Sequence, residues 1–258
     1  MISVNEINKT FIPKGNGYFS NPFKYKNVKY IQAVHDVSFE CQPGRVVGLI
    51  GANGAGKTTT LRMLGGMLKP TSGSISICNI DMANDAQNVK KRIGFLSSNT
   101  GLYDRLTTQE TVKYFADLNG MESNEFNNMS QKLFTQLSME SMINRRVGTL
   151  STGMKQKVSI VRSVIHNPDV IMFDEPTTGL DIRSSQVIVK LLQEFKQENK
   201  TIIFSTHRLN EIKTLCDDII VLNQGKLSYS GSYENFIKQM KEKTIEEELI
   251  KLIGAEND

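Results

Sequence analysis

The chain has 258 residues, of which 39% are hydrophobic and 22% charged, and its 31 basic and 27 acidic side chains give a formal net charge of +4. This composition is that of an ordinary globular protein and excludes the disordered and collagen-like classes. A chain of this length buries enough surface to hold a core without disulfides or metals, which excludes the small stapled scaffolds. The mild basic excess does not favour nucleic acid as a partner.

Cysteine usage and the N-terminus bear on where the protein acts. Cys41, Cys78 and Cys216 lie far apart and outside any metal-binding spacing, which predicts small core residues, a reducing compartment and no zinc site. No apolar run approaches the ~20 residues that cross a bilayer. Residues 1–6 lack the basic-then-apolar order of a signal peptide. We therefore expect a cytoplasmic chain that does not itself span a membrane.

Hydrophobic patterning over the first sixty residues predicts an antiparallel N-terminal part and one buried strand that leads into a helix. Alternation over 2–8 and over 33–39 is typical of half-buried strands. Between them, residues 13–30 read as an inserted surface loop with glycine, proline, lysine and aromatic side chains. Residues 46–50 are continuously apolar, as in a strand covered on both faces, and a helix follows from Lys57.

Strands and helices alternate again from residue 170 onward. The pattern predicts strands over 170–173, 201–205 and 219–222, with helices over 187–195 and 209–215 between them. This order indicates an α/β fold whose core is built around a parallel sheet.

The middle of the chain follows a helical period without strands. Thr107, with Glu110 three residues later, is a capping box that opens the first of these helices. We interpret residues 107–165 as a helical subdomain inserted into a domain that spans 1–231. A lysine- and glutamate-rich tail over 232–258 is predicted to form a C-terminal helical extension.

A glycine-rich turn joins the first buried strand to its helix. The segment GANGAGKT satisfies the GxxxxGK[ST] pattern of a phosphate-binding loop in the strand–turn–helix context that the pattern requires. Backbone N–H groups of such a loop wrap phosphate oxygens, and the helix N-terminus adds about half a positive charge. Lys57 would neutralise the β- and γ-phosphates, and the Thr58 hydroxyl would bind Mg²⁺. The predicted nucleotide-binding residues of the loop are Gly51, Asn53, Gly54, Ala55, Gly56, Lys57, Thr58 and Thr59.

Two acids follow the strand at 170–173. In P-loop enzymes the first acid of such a pair holds Mg²⁺ and a neighbouring carboxylate polarises the attacking water. We assign Asp174 to magnesium, together with Thr58, and Glu175 to the catalytic base. The alternative, an Asp-Glu pair that only caps the next turn, is less favoured beside a phosphate loop.

The order of the segments GANGAGKTTT, LSTGMKQK, IMFDEPTTGLD and IIFSTHRLNE resembles the ATP-binding subunit of ABC transporters over residues 2 to about 231. The resemblance implies an ATPase that uses ATP and Mg²⁺, works as a dimer with nucleotide at a head-to-tail interface, and powers separate transmembrane permease subunits at the inner face of the cell membrane. The chain looks most like the ATPases of ABC-2-type exporters, especially the sodium-exporter group called NatA. Sodium or a small molecule is the implied cargo, which an ATPase subunit does not contact.

The resemblance assigns further site residues. Ser151 and Gly153 would contact the γ-phosphate across the dimer interface, although Thr152 and Met154 replace the usual glycine and glutamine beside them. Asp181 would link the two sites, and His207 would act as a catalytic switch on the γ-phosphate. Phe11 matches the position whose ring stacks on adenine. Competing candidates for the adenine contact are Tyr18, Phe19, Phe23, Tyr25 and Tyr30.

Two other functions stay open at this point. One is a soluble ABC-type ATPase switch without a permease, and the other is a nucleotide-binding dimer that does not turn over. Co-purification with a membrane protein separates the transporter subunit from the soluble switch. ATP turnover separates both from the non-hydrolysing dimer.

Ser98 departs from the family pattern, which places near this position a glutamine whose amide reaches Mg²⁺ and the attacking water. Serine is too short to do so directly, although Asn99 or a bridging water is a substitute. We expect slow or strongly partner-dependent hydrolysis, and a Ser98→Gln variant should release phosphate severalfold faster than the wild type in the absence of a partner. An unchanged basal rate in that assay would contradict the interpretation.

Overall fold

The computed structural model describes residues 1–12, 30–97 and 101–254. Within these ranges one sheet is antiparallel and has the order β2-β1-β4-β5 along its width. Its strands are β1 (Ile2–Phe11), β2 (Ile31–Cys41), β4 (Ser72–Ile77) and β5 (Ile80–Asp81). The predicted antiparallel N-terminal part is confirmed. The patterning analysis missed β4 and β5, since β4 is rich in serine and glycine and β5 has two residues.

The second sheet carries the predicted parallel strands, in the order β10-β9-β3-β8-β7-β6. Its strands are β3 (Val46–Ile50), β6 (Ile93–Leu96), β7 (Val170–Asp174), β8 (Thr201–Ser205), β9 (Asp218–Asn223) and β10 (Lys226–Ser232). The strands from β9 to β6 run parallel, and β10 pairs antiparallel with β9. The predicted α/β fold class is therefore confirmed.

Helices cover both faces of the parallel sheet. They are α1 (Lys57–Leu64), α2 (Ala86–Lys91), α3 (Thr108–Leu118), α4 (Ser123–Gln136), α5 (Thr152–Val164), α6 (Ile182–Gln197), α7 (Leu209–Leu215), α8 (Tyr233–Gln239) and α9 (Ile245–Leu252). Helices α3, α4 and α5 follow one another between β6 and β7 and pack together. The capping box of Thr107 and Glu110 at the start of α3 is confirmed. The bounds of the helical subdomain, of the domain over 1–231 and of the tail, which contains α8 and α9, stay predictions.

The parallel sheet is buried on both faces because successive side chains of a strand point to opposite sides. On β7, Val170 and Met172 pack into a core with the antiparallel sheet and α1. Ile171 and Phe173 point to the other side and pack into a second core with α3 to α7. This explains the continuously apolar sequence of the strand. Because both faces of the sheet are covered by apolar side chains, polar residues at the strand ends meet at its carboxyl edge.

The remaining expectations concern cysteines, membrane spans and the inserted loop. Cys41 and Cys216 are buried, as predicted for core residues, and burial raises the pKa of both thiols, whereas Cys78 is half-buried. Across residues 1–12, 30–97 and 101–254, no helix has the length and apolar character to cross a bilayer. Residues 13–29, nearly all of the predicted inserted loop, lie outside the described residues.

Candidate active site

The phosphate-loop pattern forms a compact turn between β3 and α1. Gly56, directly before α1, has a φ of 100°, in the left-handed region that favours glycine. A Cβ atom at this position would lie 2.6 Å from the carbonyl oxygen of Ala33 on β2, so the turn also needs glycine for its close approach to that strand. Beside the turn lies a cavity of about 160 Å³, lined by Ala33, Asn53, Gly54, Gly56, Lys57, Thr58, Thr59 and Glu175.

Lys57 is the buried cation of this cavity. Lys57 is 6% exposed, and its Nζ donates hydrogen bonds to the carbonyl oxygens of Gly51, at 2.7 Å, and Ala52, at 3.0 Å. Burial lowers the pKa of Lys57, while the negative charges of Glu175 and Asp174 raise it in part. A cation removed from water in this way interacts strongly with an anion that enters the cavity.

Asp174 joins three segments of the fold. Its carboxylate is almost fully buried, with the residue 2% exposed, and accepts hydrogen bonds from Thr58 Oγ1 at 2.9 and 3.1 Å and from Ser205 Oγ at 2.8 Å. The sequence reasoning missed Ser205. Its signal was a polar residue at the end of an apolar strand, and β7 and β8 pair in a register that sets Ser205 beside Asp174.

Glu175 and His207 face each other across the ends of β7 and β8. The Glu175 backbone N–H donates to Ser205 Oγ at 2.8 Å, and Thr178 Oγ1 donates to Glu175 Oε2 at 2.9 Å. The other carboxylate oxygen, Oε1, lies 3.7 Å from His207 Nδ1. Glu175 has a φ of 51°, a strained conformation for a residue with a side chain, which turns the chain directly after Asp174. The structure thus brings the two predicted catalytic side chains together, with Glu175 in the cavity lining.

Three other predicted site residues, Ser151, Gly153 and Asp181, are not among the residues that line the cavity. Ser151 caps α5 and accepts a hydrogen bond from the Met154 backbone N–H at 3.3 Å, with Gly153 in the first turn of the same helix. Asp181 caps α6, and hydrogen bonds from Ser184 lower the pKa of Asp181. Ser151 and Asp181 therefore each cap a helix, α5 and α6, and neither residue lines the cavity of Lys57.

Phe11 and Tyr30 are the adenine-contact candidates that lie within the described residues. Phe11 is 39% exposed and pairs with Ile31, two residues before Ala33, and Lys9 Nζ lies 5.4 Å from the centre of its ring. Tyr30 is exposed beside this strand pair. The other candidates, Tyr18, Phe19, Phe23 and Tyr25, lie outside the described residues, as do Ser98 and Asn99.

Comparison with known proteins identifies the family. Residues 34–178, more than half of the chain, match the family model described as ABC transporter. The chain belongs to the ABC transporter family. It is an ATP-binding subunit of this family and an ATPase. The resemblance inferred from its four segments is confirmed.

Individual relatives agree with this assignment. The chain is 46% identical to the ABC transporter ATP-binding protein NatA of Bacillus subtilis over 208 residues, which are 80% of this chain and 85% of NatA. It is 35% identical to the Nod factor export ATP-binding protein I of Burkholderia thailandensis over 80% of this chain and 67% of that protein. The dimeric, post-hydrolysis structure of the ATP-binding cassette MJ0796, bound to ADP and Pi, superposes with a TM-score of 0.78 at 26% identity and covers 90% of this chain and 98% of that one.

Removing the Lys57 charge should weaken nucleotide binding by this ABC transporter subunit. A Lys57→Met variant keeps the apolar stem of the side chain but presents no cation to the phosphates, so we expect the Kd for ATP to rise at least about tenfold, or about 1.4 kcal/mol. Fluorescent-nucleotide displacement measures the change. The matched control is Lys190→Met on α6, where the lysine side chain is 76% exposed and outside the cavity lining. Equal affinities for the two variants would contradict the assignment of Lys57.

Proposed function

We propose that two copies of this ABC transporter subunit close around two MgATP molecules and that their hydrolysis cycle drives a separate membrane exporter. The observation that carries the proposal is a connected cluster at the carboxyl edge of the parallel sheet. Lys57, Thr58 and Glu175 line one cavity, Thr58 donates to the Asp174 carboxylate, and His207 lies beside Glu175. Ligands of open α/β sheets bind at such an edge, where strand ends and helix N-termini meet.

The phosphate loop supplies the binding energy for the triphosphate. The ammonium of Lys57 has three N–H donors, and the carbonyl oxygens of Gly51 and Ala52 take two of them in the structure. Incoming phosphate oxygens would bind the ammonium and the N-terminal end of α1, where the helix dipole adds positive potential. Thr59 and Asn53 line the same cavity and would add further phosphate contacts.

Thr58 and Asp174 fit a magnesium site. A hydroxyl and a buried carboxylate in direct contact offer the oxygen ligands that Mg²⁺ prefers. In the described ranges no group of three or more His, Cys, Asp and Glu side chains is placed to hold a metal, so phosphate and water oxygens would complete the coordination. Bound Mg²⁺ would neutralise charge on the β- and γ-phosphate oxygens.

Glu175 and His207 would act on the reacting phosphate. Glu175 accepts a proton from the attacking water, whose oxygen bonds to the γ-phosphorus while the bond to the β–γ bridging oxygen breaks, which yields ADP and inorganic phosphate. His207, with Nδ1 3.7 Å from Glu175 Oε1, stands beside the same reaction centre and would bind a γ-phosphate oxygen. The strained turn at Glu175 holds the carboxylate at the cavity.

A second copy would complete each site. The N-terminus of α5, with Ser151 and Gly153, lies outside the cavity lining in its own chain, although its hydroxyl and N–H groups suit a phosphate. We propose that these groups bind the γ-phosphate held by the other copy and that Asp181 joins the two sites. The dimeric state of the related MJ0796 cassette, with ADP and Pi bound, supports this arrangement.

The proposed partner is a permease, with the subunit at the inner face of the cell membrane. Among the described residues, an exposed apolar patch on the helical segment offers a contact surface: Tyr103, Tyr114 and Leu118 are 56%, 44% and 64% exposed, and the two tyrosine rings pack edge to face at 6.0 Å. Exposed aromatic patches mark interaction sites. Similarity to the Nod factor export ATP-binding protein I supports an export role, and our proposed cargo is sodium or a small molecule.

The trapped dimer is the direct test of the composite site. A Glu175→Gln variant keeps the shape of the side chain but accepts no proton, so Mg-ATP should double its mass in light scattering, while the wild type returns to the monomer as it hydrolyses ATP. The control combines Glu175→Gln with Lys57→Met, which should stay monomeric because ATP binds weakly. A Glu175→Gln chain that stays monomeric at saturating Mg-ATP would contradict a self-complementary pair and favour a heterodimer or permease-dependent closure.

Capture from detergent-solubilised membranes separates the transporter from the soluble-switch alternative. We expect the wild-type chain to retain an integral membrane protein that raises its ATPase rate. A Tyr103→Ala, Tyr114→Ala double variant should lose most of this capture while its basal ATPase rate stays unchanged. Ile250→Ala, at an exposed residue of α9, is the control and should capture as the wild type does. Retention of soluble partners alone, with no stimulation by a membrane protein, would favour the soluble switch.

A further inference from the structure

A buried carboxylate lies behind the catalytic pair, outside the residues that line the cavity. Glu211, on α7, is 6% exposed. Its Oε1 accepts a hydrogen bond from Thr177 Oγ1 at 2.5 Å, and its Oε2 accepts one from Thr206 Oγ1 at 2.6 Å. Each carboxylate oxygen thus holds one threonine hydroxyl, and both threonines are themselves buried.

The two threonines belong to the two loops that carry the catalytic pair. Thr177 lies two residues after Glu175, in the turn that follows β7, and Thr206 directly precedes His207 at the end of β8. Thr206 is fixed further, because its backbone N–H donates to the Leu49 carbonyl at 3.3 Å and its hydroxyl accepts from the Arg208 N–H at 3.0 Å. Glu211 therefore links both loops to α7.

We infer that Glu211 is a positioning residue, which holds the Glu175 loop and the His207 loop at the separation that hydrolysis requires. The inference rests on the catalytic roles given to Glu175 and His207 in the proposed function. A buried carboxylate with both oxygens engaged by short hydrogen bonds has little freedom to move, since breaking either bond removes a donor from a charged group that has little access to water. Glu211, on α7, accordingly sets the distance of 3.7 Å between His207 Nδ1 and Glu175 Oε1.

The charge of Glu211 also has a cationic neighbour. Arg208 Nη1 lies 3.8 Å from Glu211 Oε1 and donates to Ser185 Oγ at 3.0 Å. Because Ser185 belongs to α6, this contact extends the connection to the helix that Asp181 caps. The loops of Glu175 and His207 and the start of α6 thus meet around one carboxylate.

Thr177→Val is the most selective test. Valine keeps the shape of the buried side chain and removes the hydroxyl that Glu211 binds, while every residue of the cavity lining is retained. We expect kcat for ATP hydrolysis by the full chain to fall at least about tenfold, which corresponds to about 1.4 kcal/mol of barrier, with KM and the equilibrium affinity for Mg-ATP within about twofold of the wild type. Thr177→Ser, which restores a hydroxyl, should recover most of kcat.

Two further variants make the result decisive. Thr111→Val removes another buried hydroxyl, which donates to the Thr107 carbonyl at 2.8 Å in α3, and should leave kcat unchanged. Should Thr177→Val fail to fold, Glu211→Gln takes its place, because an amide cannot accept from both threonines, and the same fall in kcat at constant affinity is expected.

The outcomes separate positioning from simple structural support. An unchanged kcat in a folded Thr177→Val chain, a proportional loss of affinity and kcat, or a serine variant as impaired as valine would each overturn the inference. Glu175→Gln is measured in parallel. If that variant still hydrolyses ATP, the assignment of the catalytic base fails, whereas loss of turnover in Glu175→Gln with normal turnover in Thr177→Val contradicts the positioning role alone.

Discussion

The rest of the site depends on the hydrogen bonds that the buried carboxylate of Asp174 accepts. A charge at this depth is tolerated because Thr58 and Ser205 donate hydrogen bonds to it. Those bonds tie the first turn of α1 to the ends of β7 and β8. The start of α1 and the ends of β7 and β8 are therefore joined through one carboxylate. Such preorganisation reduces the ordering that catalysis would otherwise require.

Parallel strands make this convergence possible, because each of them ends at the same edge of the sheet. Apolar side chains of β7 fill a core on each face, and Asp174, the polar residue that ends the strand, lies at the edge of the sheet. The chain must then turn sharply, and Glu175 takes a left-handed conformation to do so. Such strain costs of order 1–3 kcal/mol. Hydrogen bonds from the Glu175 N–H to Ser205 and from Thr178 to the carboxylate offset part of it.

Features encoded locally were predictable from the sequence. The phosphate loop is a contiguous pattern, and β3, β7 and β8 are continuous apolar runs. Asp174 at the end of β7 and His207 just after β8 could therefore be predicted to lie at the carboxyl edge of the sheet. Contacts between distant segments were not predictable in this way: Thr177 and Glu211 are 34 residues apart, and nothing local marks them as partners. Helix α6 begins at Ile182, before the predicted 187, because its first turn is polar and Asp181 rather than hydrophobic periodicity sets its start.

The site residues that one chain supplies at its own cavity indicate what a second copy would add. A single copy has Lys57 and Glu175 in its cavity lining, with Asp174 and His207 next to them. In the same copy Glu211 joins the loop after Glu175 to the loop of His207. A single copy lacks donors from α5 at that cavity, since Ser151 and Gly153 lie elsewhere on the same chain. In the proposed dimer, a partner would therefore exert control by delivering the second helix N-terminus to the γ-phosphate rather than by rearranging Glu175. A proposed dimer of this kind would hydrolyse ATP when it closes, which would couple the chemistry to the motion that a permease needs.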